Sequence, residues 1–506
     1  MRYIFENKFS FYLLILFLGL FTSYSLPPYN FFFLNFLTLP LLLYILINYK
    51  GGKLKYFLIG WFFGVGYFIS NLYWITNSLT FDENLKFLIP FALILIPSFL
   101  AIFYGIITFL CGFFNLKNKI SSIFIFSLFF GSIEFLRSFI FGGFPWNLLV
   151  FSLSDHLQTL QILSIIGTYS LNLLSISIFL IPIIIFFEYK KLTKLLTLLF
   201  GFFLIFINET IGNYNLKKFT ELNSENLNFV IRVISPNIPI HRFLTNQGSD
   251  KIILELAKLS KPTNLKKAIF ILPEGAIPGI YLNDIKFFKD LFAKNYQDNQ
   301  KIILGINSNY KNKIYNSLIA IDNNAELLFK YNKNNLVPFG EFLPFENFLK
   351  KLGLKKITFG YQSFSSDNKR EILYLNKFRF LPLICYEIIY SGKINPNRED
   401  YDFILNISED GWFGKSIGLQ QHLSHSIFRS IEEGKNVIRA TNNGISAYIN
   451  PKGQIINKIN KKKYFDIVSI KRVDKTYFSK NGNKIFFYFI LFYITLIVAL
   501  KIRENK

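Results

Sequence analysis

Eight runs of apolar residues, most near the length that crosses a bilayer, constrain this chain more than any other feature: 9–26, 30–48, 56–76, 87–114, 120–142, 160–187, 194–209 and 484–501. About 20 residues of helix cover the ~30 Å hydrocarbon core. A composition that is 51% hydrophobic and 19% aromatic, with mean hydropathy +0.33, is too apolar for an ordinary soluble protein. At 506 residues the chain is also too long for one compact domain. The pattern predicts a polytopic α-helical membrane domain of seven helices over 1–212, a globular domain over 213–482, and an eighth helix with its tail over 483–506. Arg2 and Lys8 ahead of an apolar stretch mimic a secretory signal, but further spans follow at once, so the first run is read as an uncleaved helix.

The charge is informative only in its placement. A formal charge of +24 does not point to nucleic acid here, because Lys, Asn, Ile and Phe are abundant throughout, the pattern that a base-composition bias in the coding DNA produces. The short loops YKGGKLKY (49–56), NLKNK (115–119) and EYKKLTK (188–194) and the tail KIRENK (501–506) are basic; the alternate loops, NSLTFDENLK (77–86) and the segment around FPWNLLVFSLSDHLQ, are not. Since Lys and Arg are retained on the cytoplasmic side, both termini are expected inside and the globular domain on the external face.

Within 213–482, short β-rich apolar runs recur: NFVIRVIS (228–235), AIFIL (268–272), KIILGI (301–306), NSLIAID (316–322), FRFLPLIC (378–385), DFILNI (402–407), VIRAT (437–441) and ISAYI (445–449). Helix-length segments such as 281–299 and 416–435 lie between them. Strands alternating with helices imply an α/β layered domain.

Three fragments of that domain carry chemistry. ILPEGAIPG places Glu274 just after a strand in a rigid frame of Pro273, Gly275, Pro278 and Gly279. KYNKNNLVPFGEFLP sets Lys333 and Glu341 either side of an apolar turn, and LICYEIIY sets Cys385 at a strand end before Tyr386 and Glu387. Singly, Glu274 and Lys333 read rather as solvated loop charges, and the thiol reads equally as packing. With only Cys111 and Cys385 in the chain, far apart and in different environments, each cysteine is read as a free thiol. Together, Glu274, Lys333 and Cys385 supply a base, an oxyanion cation and a nucleophile.

The order of a PE glutamate, a lysine and a strand-end CYE resembles the nitrilase superfamily and, within it, the apolipoprotein N-acyltransferases. SPNIP (235–239), LVPFGEFLP (336–344), ICYE (384–387), GWFGKSIGLQQH (411–422), RATNNGISAYINPKG (439–453) and, in the membrane half, EFLRSFIFGGFPWN (134–147) carry the likeness. It implies an α-β-β-α sandwich with a Glu274-Lys333-Cys385 triad. It also implies transfer of an acyl chain from a phospholipid, through a Cys385 thioester, to the α-amine of a diacylglyceryl-cysteine at the N-terminus of an apolipoprotein. Neither metal nor other cofactor is implied, and the expected setting is a monomer in a bacterial inner membrane. Glu341 is expected to hold Lys333, Glu387 to orient the strand end or the base, and the Tyr386 amide to meet the oxyanion. Trp412, Phe413, Phe339 and Phe342 are candidates for facing substrate or membrane. The chain departs from the family in reading IHRFLTNQ after NIP, where a tryptophan is usual, and Glu409-Asp410-Gly411 ahead of the WFG aromatics, where Asn-Asp-Ala is common.

Other signals are weaker. His422 and His425 are spaced for one helix face, but no third ligand accompanies them, and the resemblance implies packing. Phe339, Phe342, Phe345 and Phe348, with Leu343 and Leu349, form an apolar segment that reads as core or as a lipid-facing arm. Glu134 and Arg137, three residues apart inside a membrane run, are expected to pair or to line a polar cavity. Two rival readings stay open at this point: an amidohydrolase that passes the acyl group to water, and a transporter or sensor whose external domain only binds ligand.

Overall fold

The computed structural model describes residues 7–114, 116–243, 248–344, 346–351, 363–375, 378–459 and 462–504. The chain divides into two compact units, one of Met1–Thr76, Asp82–Thr220 and Tyr477–Lys506, the other of Asn77–Phe81 and Glu221–Thr476.

The second unit is a sandwich of two six-stranded sheets. Its strands are β1 (Glu225–Ile234), β2 (Ala268–Ile271), β3 (Gln300–Tyr310), β4 (Lys313–Asp322), β5 (Leu327–Asn332), β6 (Leu373–Leu375), β7 (Phe378–Ile384), β8 (Phe403–Glu409), β9 (Asn436–Asn442), β10 (Ala447–Ile449), β11 (Ile455–Lys458) and β12 (Tyr464–Ile470). One sheet runs β12-β1-β2-β3-β4-β5 and the other β11-β10-β9-β8-β7-β6. Each has a parallel centre, β1-β2-β3 in one and β7-β8-β9 in the other, flanked by antiparallel strands. Every residue of β8 and β9 is buried, as expected for strands covered on both faces.

Outer helices close the sandwich. Helix Ser249–Ser260 lays Ile252, Ile253 and Leu256 on Phe270, Ile302 and Leu304 of the first sheet. Between the sheets, Phe329 of β5 meets Phe380 of β7 at 5.3 Å and Phe229 of β1 meets Phe378 at 5.4 Å. Helix Gly418–Glu433, buried along nearly all its length, packs on the second sheet, which completes an α-β-β-α order.

All eight expected β runs lie in strands, but β5, β6, β11 and β12 were not expected. They are edge or near-edge strands whose alternating or polar sequences, such as IINK and YFDIVSI, leave one side wet. The helix expected over 281–299 is instead a 3₁₀ turn over Leu282–Phe288 followed by a short helix, Lys289–Asn295.

In the first unit, the described residues include six helical stretches long and apolar enough to cross a membrane; Lys8–Ser23 and Phe32–Asn48 are apolar but shorter than the expected runs. The first stops early because Pro27 and Pro28 cannot extend it. Conversely, the run expected to end near Glu209 belongs to one helix, Lys191–Thr220. Glu209 does not break it, since its carboxylate accepts the Thr159 hydroxyl. Backbones approach closely where a glycine of one helix faces the backbone of the next: a Cβ on Gly19 would lie 1.9 Å from the Phe63 carbonyl oxygen, and one on Gly66 2.0 Å from that of Leu16.

Glu134 and Arg137 are fully buried and 3.7 Å apart, and they hold an irregular loop. Glu134 accepts from Tyr104 at 2.9 Å and Asn172 at 2.5 Å; Arg137 donates to the carbonyl of Phe144 at 2.6 Å and that of Asn147 at 3.4 Å. Asn172 also accepts the Val150 amide at 2.9 Å. Non-helical backbone among apolar helices survives only where its polar groups find protein partners, and these two charges with Asn172 provide them for the FPWN loop. Glu134→Ala should therefore cost about 3–5 kcal/mol by leaving Arg137 without its carboxylate. Glu134→Gln, which keeps a hydrogen-bonding partner for Tyr104 and Asn172, should cost less; thermal unfolding in detergent measures both, and an unchanged midpoint in Glu134→Ala would refute the clamp.

Candidate active site

The ends of β2, β5, β7 and β8 each deliver one part of the site. Beyond β2, the chain stays against β3 through Leu272 N to Ile303 O (2.8 Å), Gly305 N to Pro273 O (3.1 Å) and Ala276 N to Gly305 O (3.0 Å). Glu274 is thereby pressed on Gly305, where any Cβ would lie 2.5 Å from the Glu274 Cα. Only glycine permits that approach.

Lys333 follows β5 directly, its amide bonded to the Asn316 carbonyl at 2.9 Å. Its side chain is 1% exposed, with Nζ 3.0 Å from Glu341 Oε1 and 3.5 Å from Glu274 Oε1. Burial alone would lower the ammonium pKa, but the carboxylates of Glu274 and Glu341 outweigh it and hold the group well above its ordinary value. Asn316 Nδ2 bridges the same two oxygens, at 2.6 Å to Glu274 and 2.8 Å to Glu341. The second oxygens are bound by backbone amides, Glu274 Oε2 by Glu409 N and Glu341 Oε2 by Val337 N, each at 2.9 Å. Both carboxylates are thus fixed in position before any substrate arrives.

Cys385 comes at the turn where the apolar strand β7 meets a one-turn 3₁₀ helix, Cys385–Ile389. Its φ is +51°, a left-handed conformation that costs a residue with a Cβ about 1–2 kcal/mol. The thiol is almost wholly buried. Burial first, then the negative charge of Glu274, push its pKa well above the ordinary thiol value, against the opposing pull of Lys333. At rest it is therefore a protonated thiol within the field of a carboxylate and an ammonium, and it needs a base to become a nucleophile.

Glu387 is fully buried and occupies two places at once. One oxygen takes the Ile384 amide at 2.8 Å, at the strand end; the other takes the amides of Asn334 (2.9 Å) and Asn335 (3.1 Å), directly after Lys333. Tyr331 donates to it at 2.8 Å and Arg370 at 2.5 Å. Of the two orientations expected for it, the contacts serve the strand end and the lysine's loop; no described bond reaches the base. Asn316, Tyr331 and Arg370 escaped sequence reading. Arg370 sits in a polar stretch, SSDNKREI, with nothing local to separate it from a surface charge.

The remaining candidates scatter. Tyr386 is buried, edge-on to Tyr390 at 5.5 Å. Trp412 and Phe413 are half-buried, Trp412 edge-on to Phe81 at 5.7 Å and Phe413 edge-on to His422 at 5.4 Å. The apolar segment after Lys333 is divided: Leu343 is buried, Phe342 half-buried and Phe339 exposed with φ +61°. Phe345 and the side chains of Phe348 and Leu349 lie outside the described residues. His422 is hydrogen-bonded within the protein at both ring nitrogens, so the His422 and His425 spacing does not mark a metal site.

Residues 18–181 match the apolipoprotein N-acyltransferase N-terminal domain and residues 251–475 the carbon-nitrogen hydrolase family. An apolipoprotein N-acyltransferase of Rickettsia prowazekii is 33% identical over 453 residues, 86% of this chain and 88% of the relative. One of Rhizobium leguminosarum bv. trifolii is 32% identical, over 87% of this chain and 85% of the relative. The chain belongs to the apolipoprotein N-acyltransferase family. Other members of similar likeness include one from Agrobacterium fabrum, 32% identical over 85% of this chain. Family membership accounts for the joining of an apolar helical half to a nitrilase-like sandwich.

Gly305→Ala tests the packing that fixes Glu274. Because the new methyl would meet backbone rather than a yielding side chain, Glu274 must shift, and acyl transfer to a diacylated lipopeptide should fall on the order of 100-fold. The thermal midpoint of the protein should fall as well; wild-type activity would mean that the reaction does not depend on this placement of Glu274.

Proposed function

We propose that this family member carries out N-acylation of lipoproteins by a two-step transfer at Cys385. The observation that carries the reading is the placement of one thiol where the charges of Glu274 and Lys333 both act on it. Family membership makes the chain a membrane acyltransferase and sets aside the transporter or sensor reading. The donor, the thioester and the roles of individual residues are our proposal.

In the first step Glu274 takes the Cys385 proton and the thiolate attacks the ester carbonyl of a phospholipid. Lys333, with the Tyr386 amide, stabilises the oxyanion. The C–O ester bond breaks, Glu274 returns the proton to the departing glycerol oxygen, and lysophospholipid leaves a thioester on Cys385. In the second step the α-amine of a diacylglyceryl-cysteine attacks that thioester. Glu274 takes the amine proton, the C–S bond breaks, the proton returns to the thiolate, and an amide remains. Glu341 holds Lys333 in reach of the oxyanion, and Glu387 fixes the lysine's loop to the nucleophile's strand. Trp412, Phe413, Phe339 and Phe342 are the side chains we assign to contact with acyl chains or lipid.

The basic short loops support an orientation with both termini in the cytoplasm and the sandwich in the periplasm of a bacterial inner membrane. Acyl chains cost about 0.8 kcal/mol per CH₂ to expose to water, which favours chemistry with the chains still in the bilayer.

Incubating the purified protein with phospholipid alone should add one acyl mass to the peptide containing Cys385. Cys385→Ala should abolish the adduct, and Glu274→Gln should slow its formation by about 10²–10⁴-fold. Adding a diacylated lipopeptide should move the acyl group to the peptide amine. Discharge as free fatty acid would identify a hydrolase instead, and no adduct on the wild-type protein would sink the thioester scheme.

A further inference from the structure

Beneath the turn that carries Cys385 lies a polar network that the mechanism above does not use. The parallel register pairs Leu383 of β7 with Asn406 of β8, and Asn406 with Arg439 of β9. Since partners in register point to the same face, Asn406 and Arg439 lie side by side, beneath the helix that supplies His422. Arg439 donates to Asn406 Oδ1 through Nη1; its Nη2 lies 2.8 Å from Asp410 Oδ2 and 2.9 Å from His422 Nδ1. His422 Nε2 then reaches the Cys385 carbonyl at 3.3 Å, and Asn406 Nδ2 is shared between that carbonyl at 3.4 Å and the Leu383 carbonyl at 3.3 Å. Ser408 binds Asp410 Oδ1 at 2.7 Å, and every one of these side chains is fully buried.

The protonation states follow from the contacts. A carbonyl can only accept, so the ring form that binds the Cys385 oxygen carries its hydrogen on Nε2; Nδ1 then accepts from Arg439 Nη2 at 2.9 Å, with Asp410 Oδ1, which the Ser408 hydroxyl binds, 3.0 Å away. Burial first, and Arg439 next, keep the His422 pKa below its ordinary value against the opposing charge of Asp410, so the ring is neutral at neutral pH. Burial works to raise the Asp410 pKa, yet Arg439 foremost, with the Ser408 hydroxyl, holds it below the usual carboxylate range, so Asp410 stays charged and balances Arg439. The network is neutral overall and ends on the backbone oxygens of Leu383 and Cys385.

The Cys385 oxygen belongs to a residue held at φ +51°. A left-handed residue with a Cβ persists only where its surroundings over-determine it. We infer that His422, aimed by Arg439 and Asp410, is a positioning residue for the acyl-transfer reaction: its Nε2–H and the Asn406 amide pin the Cys385 peptide in the conformation that presents the thiol to Glu274. The inference rests on Cys385 being the nucleophile. It adds that the direction of the thiol is set from behind, by a histidine that touches neither substrate nor sulfur.

The test compares two substitutions by two readouts. His422→Gln keeps an N–H donor where Nε2 stands, whereas His422→Leu keeps bulk and removes the donor. The first readout is the rate of acyl adduct formation on Cys385; the second is the rate at which iodoacetamide alkylates Cys385, mapped by peptide mass, which needs no acyl chemistry. For His422→Leu we expect both rates to fall on the order of 10- to 100-fold, with KM for phospholipid unchanged. For His422→Gln we expect most of the rate to return. Equal slowing in two variants of equal thermal midpoint, or wild-type rates in His422→Leu, would overturn the inference. If His422→Leu does not fold, His422→Gln decides: rates near wild type support the donor role, and rates reduced 10-fold or more, the level loss of the donor predicts, overturn it. A wild-type protein that alkylates at Cys385 but forms no acyl adduct would defeat the thioester reading while leaving the alkylation comparison to judge the brace.

Discussion

An ammonium shut away from water must find its charge compensation inside the protein, and the site is arranged around that requirement at Lys333. Two carboxylates come to it, Glu274 from beyond β2 and Glu341 from the loop after β5, with Asn316 spanning both. Each carboxylate spends its other oxygen on a backbone amide, so neither can swing away without leaving a buried donor unmet. Lys333 and Glu274, the proposed oxyanion cation and proton acceptor, are consequently held by one set of bonds. Loss of one partner would disturb the others, as expected of buried polar networks that are fully satisfied.

The sandwich makes this possible because strand ends from both sheets supply the parts. Parallel strands present their carboxyl ends together, and Cys385 and Glu409 leave neighbouring ends of β7 and β8. The tip of β8 serves both sheets: the Glu409 amide holds Glu274, while Asn406, Ser408 and Asp410 belong to the network under Cys385. In the helical half, the same principle appears in another form. Glu134 and Arg137 answer to irregular backbone within an apolar environment, and their charges serve to hold a loop.

What the sequence disclosed follows the reach of local signals. Glu274, Lys333 and Cys385 stood out because each sits beside an apolar run or a Pro/Gly frame, and because their order has a family likeness. The central strands were legible for the same reason: burial on both faces leaves continuous apolar runs. Edge strands such as β11 and β12 carry weaker patterns and were missed. Asn316, Arg370 and Arg439 were invisible as site residues for a different reason. Their roles depend on which strand lies beside which, and nothing within a few positions of Arg439 reveals that Asn406 will lie opposite it. The spacing of His422 and His425 reads as packing, and His422 is indeed bound within the protein, but its place under Cys385 was not legible.

The left-handed backbone at Cys385 has a consequence for how such a chain can change over time. At that position glycine would relax the backbone, and a sequence chosen for stability alone would drift toward it. Under the mechanism proposed above, cysteine is kept there for its sulfur, and the thiol sits in a place where folding and chemistry pull in opposite directions. A descendant that lost the need for such a reaction would be free to gain stability by giving up this thiol first, and the surrounding charged network would outlast it as a relic without a task.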